Sequence, residues 1–253
     1  MSARTSSFFA GASWGLDAFF ALVVSAPVVA SLRAQWPHLG AEALVAPGGL
    51  EIIETLAQRG PVFSSAALVF VLLALARWAA GLLVEVAHAR ALGSALTSAR
   101  LALRMVGVRV IGAIPTGMLV AAAFSPAYAV REAPIASLGT QGNVLLALGL
   151  AVPSLALALV SMGAERLARA LVSHEETGVT AAWLRAIEAM QRGGSPALRF
   201  AVGAAFGSLA LGAIAAFAAK FGYGVGLVLA QALLYAGSYL RACAFAFAFH
   251  ARA

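Results

Sequence analysis

The sequence predicts an all-α integral membrane protein with six transmembrane helices and interfacial amphipathic connector helices. Three observations predict it. Hydrophobic residues make up 62% of the chain and charged residues 11%, against roughly 25% charged in soluble domains, which is too little to build a polar shell around a water-soluble core. Six stretches come close to or exceed the ~20 apolar residues needed to cross a bilayer, at about 12–32, 62–84, 110–130, 144–162, 200–219 and 222–249. The basic residues lie between these stretches and form no single patch, so the net charge of +7 reports membrane topology and not a nucleic-acid surface.

The spans are helical because a bilayer leaves no water to satisfy open backbone groups, and these runs are uniformly apolar where barrel strands would alternate. The first stretch has the outline of a signal peptide, but Asp17 interrupts its apolar core, and it reads as an uncleaved span. The last is long for one crossing and either tilts or continues past the membrane after Arg241. Its alternating Ala242 to Phe249 piece has a strand-like period but extends a long helical run. Cys243 is the sole cysteine, which excludes an internal disulfide and any multi-cysteine metal site. The whole of 1–253 is expected to form one transmembrane domain.

Orientation follows from the arginines. With the N-terminus inside, Arg4, Arg90, Arg100, Arg104, Arg109, Arg166, Arg169, Arg185, Arg192, Arg199 and Arg252 are cytoplasmic, eleven in all. Arg33, Arg59, Arg131 and Lys220 make four outside, and Arg77 and Arg241 lie within spans. Because cytoplasmic loops retain basic residues, both termini are expected in the cytoplasm, with the chain in a bacterial inner membrane.

Three connectors carry an amphipathic stripe. Leu92, Leu96, Ala99, Leu103 and Val106 share a face between spans two and three; Val179, Trp183, Ile187 and Met190 oppose Arg185, Glu188 and Arg192 between spans four and five. After Pro47-Gly48-Gly49, Leu50, Ile53 and Leu56 oppose Glu51 and Glu54. Each stripe suits packing on the chain's own bundle or docking a partner, and Trp183, Ile187, Arg185 and Arg192 are the docking candidates. Gly93 to Arg100 and Gly178 to Arg185 share a Gly-to-Arg spacing, the trace of an internal repeat.

Charged side chains within spans need partners, since insertion of one at the membrane centre costs at least ~2.5–3.5 kcal/mol. At ~1.5 Å per residue, Asp17 lies about 8 Å from the inner start of its span, with Arg77 about 22 Å and Arg241 about 28 Å inward from the outer side. All three fall in the cytoplasmic third, so an intramembrane charge cluster of Asp17, Arg77 and Arg241 is expected. Gly11-x-x-x-Gly15 and Gly203-x-x-x-Gly207 have the spacing of close helix contacts, and Pro27, Pro115 and Pro153 interrupt spans. Glu85 and His88 have an acid-to-histidine spacing known from carboxylate metal sites, but no second copy faces them. No phosphate loop, zinc helix or nucleophile elbow occurs, so no catalytic residue, metal or cofactor is expected.

The segment Glu165 to Gly203, ERLARALVSHEETGVTAAWLRAIEAMQRGGSPALRFAVG, leads from an arginine-bearing span end through an acidic turn and an amphipathic helix into the next span. In this order of elements the chain resembles uncharacterised bacterial multi-span membrane proteins similar to the glycerophosphoryl diester phosphodiesterase membrane domain. The resemblance implies six spans with interfacial connectors and carries no activity and no functional residue.

The function expected from the sequence is a non-catalytic membrane scaffold or accessory subunit, because Gln231, Tyr235 and Ser238 are a sparse polar set for a substrate path. The alternative is a permease-like transporter subunit coupled to a cytoplasmic motor protein. The expected partners are the lipid bilayer and other membrane or cytoplasmic subunits, with oligomer formation allowed and nucleic acid excluded.

Overall fold

The computed structural model describes residues 3–35, 61–132, 135–192, 194–218 and 225–251. Among these residues are seven α-helices, one turn of 3-10 helix and no strand. The helices are α1 (Ala3–Gln35), α2 (Pro61–Ala91), α3 (Ser98–Glu132), α4 (Gly139–Leu171), α5 (Val179–Gln191), α6 (Pro196–Ala218) and α7 (Val225–His250). All but the short α5 contain a window long and apolar enough to cross a membrane. The chain is therefore an all-α, multi-pass membrane fold. The Pro47 to Arg59 connector, with its stripe of Leu50, Ile53 and Leu56, lies outside the described residues, as does Lys220.

The six long helices close a ring. α1 packs on α2 and α7, α2 on α3, α3 on α4, α4 on α6 and α7, and α6 on α7. α5 lies against α3 and α4 at one end. At that end Phe9 of α1 stacks on His88 of α2, and His88 stands 5.4 Å from Phe245 of α7.

The helices extend beyond the predicted spans at the arginine-rich end: α2 to Ala91, α4 to Leu171, and α3 back to Ser98. Arginine favours helix almost as well as alanine, so charge ends an apolar run without ending the helix. A helix of 35 residues, the length of α3, is roughly 52 Å long, well beyond a hydrocarbon core of ~30 Å. The surplus forms a packed helical cap. Leu101, Met105 and Val108 of α3 and Leu167 of α4 are fully buried there, together with Val86, Ala89, Trp183 and Phe249. Toward the other end large apolar side chains point outward, among them Leu72, Ile114, Met118 and Leu145, each at least half exposed. A soluble monomer does not carry so continuous an apolar surface. Lipid accounts for it.

The expected connector helix between spans two and three does not exist as a separate element. Residues 92–97 form a turn, with Gly93 at φ 105° in the left-handed region that suits glycine, and α3 begins at Ser98. Its buried stripe is Leu101, Met105 and Val108; of the expected stripe only Leu96 is buried, and Leu103 is 73% exposed. Both stripes have helical spacing, so the sequence alone did not separate them. The choice is made across the turn. Arg104 Nη1 donates to the carbonyl oxygens of His174, Glu175 and Thr177 at 3.1–3.2 Å, and Ser94 Oγ donates to Ser173 O at 2.7 Å. These bonds tie the α2–α3 and α4–α5 turns together and fix the rotation of α3. The repeat fails for the same segment: Gly93 sits in a turn, whereas Gly178 is extended and leads straight into α5.

The glycine spacings also resolve differently. A Cβ added at Gly207 would lie 3.3 Å from Leu240 Cδ1 of α7, but one at Gly11, Gly15 or Gly203 would meet no atom within 4 Å, so these three positions do not mark close helix approach. Gly163 does: a Cβ there would lie 3.1 Å from the backbone of Val202, pressing α4 against α6.

Candidate functional site

Asp17 of α1, Arg77 of α2 and Arg241 of α7 meet inside the ring. Arg77 donates Nε–H to Asp17 Oδ1 at 2.6 Å and a second bond to the same oxygen from Nη2. Arg241 Nη2 stands 3.3 Å from Asp17 Oδ2 and donates to Ser238 Oγ at 2.8 Å. One carboxylate thus bridges two guanidinium groups from neighbouring helices. Removing Asp17 strands both arginines, whereas removing Arg77 leaves Arg241 in place. Asp17→Ala is therefore expected to destabilise the detergent-solubilised protein more than Arg77→Ala, by about 1–3 kcal/mol, less than a fully buried pair because the side chains remain 28–39% exposed. Denaturant unfolding of the two variants checks the order, and a larger loss from Arg77→Ala would contradict the bridge.

A second cluster lies closer to the arginine-rich end. Glu85 Oε1 accepts from Arg169 Nη1 of α4 and pairs with Arg109 Nη2 of α3 at 2.9 Å. Arg169 Nε also stands 3.4 Å from Glu165 Oε1, one turn earlier, as an ion pair without a hydrogen bond. The Arg109 guanidinium lies 5.5 Å from the Trp78 ring centroid, a cation–π distance. By sequence these charges lie beyond the span ends at 84, 110 and 162 and have no assigned partners; the helices continue through them and bring them together. The available signal was the i,i+4 spacing of Glu165 and Arg169 and the i,i+3 spacing of Glu85 and His88, which continue one helix face past each span end.

Between the clusters is a cavity of about 390 Å³ walled by α1, α2, α3, α4 and α7, within the size range of ligand pockets. Its charged walls are Arg77, Arg109, Arg166, Arg169 and Arg241 with Glu85 and Glu165. Counting Asp17, which pairs with two of them, five arginines face three carboxylates, an excess of two positive charges. Four buried polar atoms of residues on these walls have no hydrogen-bond partner among the described residues: Arg166 Nη1, Arg169 Nε, Glu85 Oε2 and His88 Nε2. Buried polar groups are nearly always satisfied, and an orphaned one costs about 1–3 kcal/mol or more when charged. All four residues line this one cavity.

No family model, curated protein or solved structure matches the chain significantly. The resemblance of residues 165–203 stays an expectation, and the geometry alone carries the functional argument.

Of the four docking candidates on α5, three reach the surface. Arg185 is exposed, Ile187 is 38% exposed, and Arg192 pairs loosely with Glu188 at 3.7 Å. Trp183 is not available to a partner. It is 9% exposed, packs in the chain's own core, and donates Nε1–H to Val108 O at 3.2 Å. The indole is the widest apolar group on the α5 stripe, and α3 and α4 offer it a site before any partner does.

Proposed function

We propose that the chain is a non-catalytic, permease-like membrane protein that binds an anionic group in the arginine-lined cavity. The observation that supports this most is Arg166, which lines a cavity with excess positive charge and whose buried Nη1 has no hydrogen-bond partner among the described residues. An anion would satisfy it, whereas a scaffold needs no such space. Arginine suits the task, since its planar fork donates to carboxylate or phosphate oxygens in pairs. The test is thermal unfolding of purified protein in neutral detergent against inorganic phosphate, with chloride holding ionic strength constant. Saturable stabilisation that Arg166→Gln removes is expected; a response equal to that of chloride would overturn the proposal.

A second reading, an accessory subunit that docks through α5, is favoured by Leu184 and Ile187, 56% and 38% exposed beside Arg185. This surface also suits the headgroup layer of the bilayer. Joint replacement of Leu184 and Ile187 by Asp would abolish co-purification of a subunit on the docking reading and leave it unchanged otherwise.

We place the arginine-rich cap in the cytoplasm of a bacterial cell, in its inner membrane, on the excess of basic residues at that end. Cysteines introduced at Ala136 and Thr180, in a chain with Cys243 replaced by Ala, should react with an impermeant maleimide from outside and inside respectively. Reversed labelling would invert the orientation.

A further inference from the structure

A second cavity, of about 540 Å³, adjoins the first and is different in character. Its walls are mostly apolar, including Ala18, Val120, Leu155, Leu159 and Leu234. Arg166, Ser238 and Arg241 line both cavities and form the boundary between them, and Asp17 lines the second. One side of this boundary therefore offers guanidinium groups, and the other a mostly apolar wall.

We infer that the combined site takes a phosphate monoester carried on a hydrocarbon chain, the head among the arginines and the chain in the apolar cavity. This rests on the anion-binding reading and names the ligand class. A free inorganic anion would leave the apolar cavity without an occupant, and a neutral lipid would leave the excess of two positive charges unmatched. A phosphate monoester carries a charge of about −1.5 to −2 near neutral pH and three acceptor oxygens. A single carboxylate supplies half that charge. Arg166 is the arginine assigned to the head, because it lines both cavities and its buried Nη1 has no hydrogen-bond partner among the described residues. Its neighbours Arg77 and Arg241 are already held by Asp17. Glu85 Oε2, without a hydrogen-bond partner among the described residues, accepts a hydrogen bond from the hydroxyl of a monoprotonated head or from a water beside it.

The test uses the full chain in phosphatidylcholine nanodiscs with three probes: inorganic phosphate, octyl phosphate and octanol. Octyl phosphate is expected to bind at least tenfold more tightly than inorganic phosphate, and octanol alone not to displace it. Ala18→Phe narrows the apolar cavity and should remove the advantage of octyl phosphate while leaving inorganic phosphate affinity within about twofold, which also reports that the variant is folded. Arg166→Gln should weaken both phosphates. Equal affinities for the two phosphates would overturn the inference while the anion-binding reading stands. An octyl advantage that survives both Ala18→Phe and Leu159→Trp would place the chain in the surrounding bilayer and likewise overturn it. Binding of neither phosphate would remove both readings together.

Discussion

Replacing Glu85 by Gln is expected to cost about 2–4 kcal/mol of stability in detergent, below the range for a fully buried ion pair because the Glu85 side chain is 28% exposed. The side chain is held between Arg109 and Arg169, whose own side chains are only 13% and 11% exposed. Glutamine keeps the shape and loses the charge, so the loss reports Arg109 left without its carboxylate and Arg169 left with Glu165 alone. Joint replacement of Glu85 and Arg169 by Gln should be less damaging than the sum of the single changes, since each removes the other's stranded partner. Urea unfolding followed by helical circular dichroism measures all three variants. A loss below about 1 kcal/mol for Glu85→Gln would mean that the cavity is wet enough to solvate the arginines, and the charge-matching argument for an anion would weaken with it.

Trp183→Ala should cost a similar amount, about 3–5 kcal/mol, as expected when a large buried aromatic is truncated. The indole fills the space between α3, α4 and α5, and its N–H satisfies the Val108 carbonyl. Trp183→Phe, which keeps most of the ring and removes the donor, should lose only about 1 kcal/mol. Ile187→Asp, one turn along the same helix, should change stability by less than either, because Ile187 is 38% exposed. Thermal unfolding of the three variants separates a core anchor from a docking residue. If Trp183→Ala left stability unchanged while Ile187→Asp reduced it, the burial of the α5 face would be the reverse of that described.

The residues legible in the sequence were those whose environment is set by the solvent. Six apolar runs announce six helices because each backbone must be satisfied within its own segment, and among the described residues six helices are long and apolar enough to cross a membrane. Asp17, Arg77 and Arg241 stood out because a charge within an apolar run is conspicuous, and the regular rise of a helix converts position into depth. The structure brings these three together. Glu85, Arg109 and Arg169 were hidden for the opposite reason. They sit where the chain turns polar, and a charge among charges looks like a loop residue until the helix is seen to continue through it.

By itself the sequence determined the solvent of this protein, its helical class and its number of crossings, since all three depend on local composition along a single segment. The tertiary structure alone decided which stripe of α3 turns inward, that Trp183 is spent on the chain's own core, and that five arginines from four helices enclose one cavity. Those outcomes depend on pairings between distant segments, such as Arg104 with the carbonyls of 174–177 and Glu85 with Arg109 and Arg169. A hydrogen bond or an ion pair has an energy only when both partners are in place, and no single helix carries both.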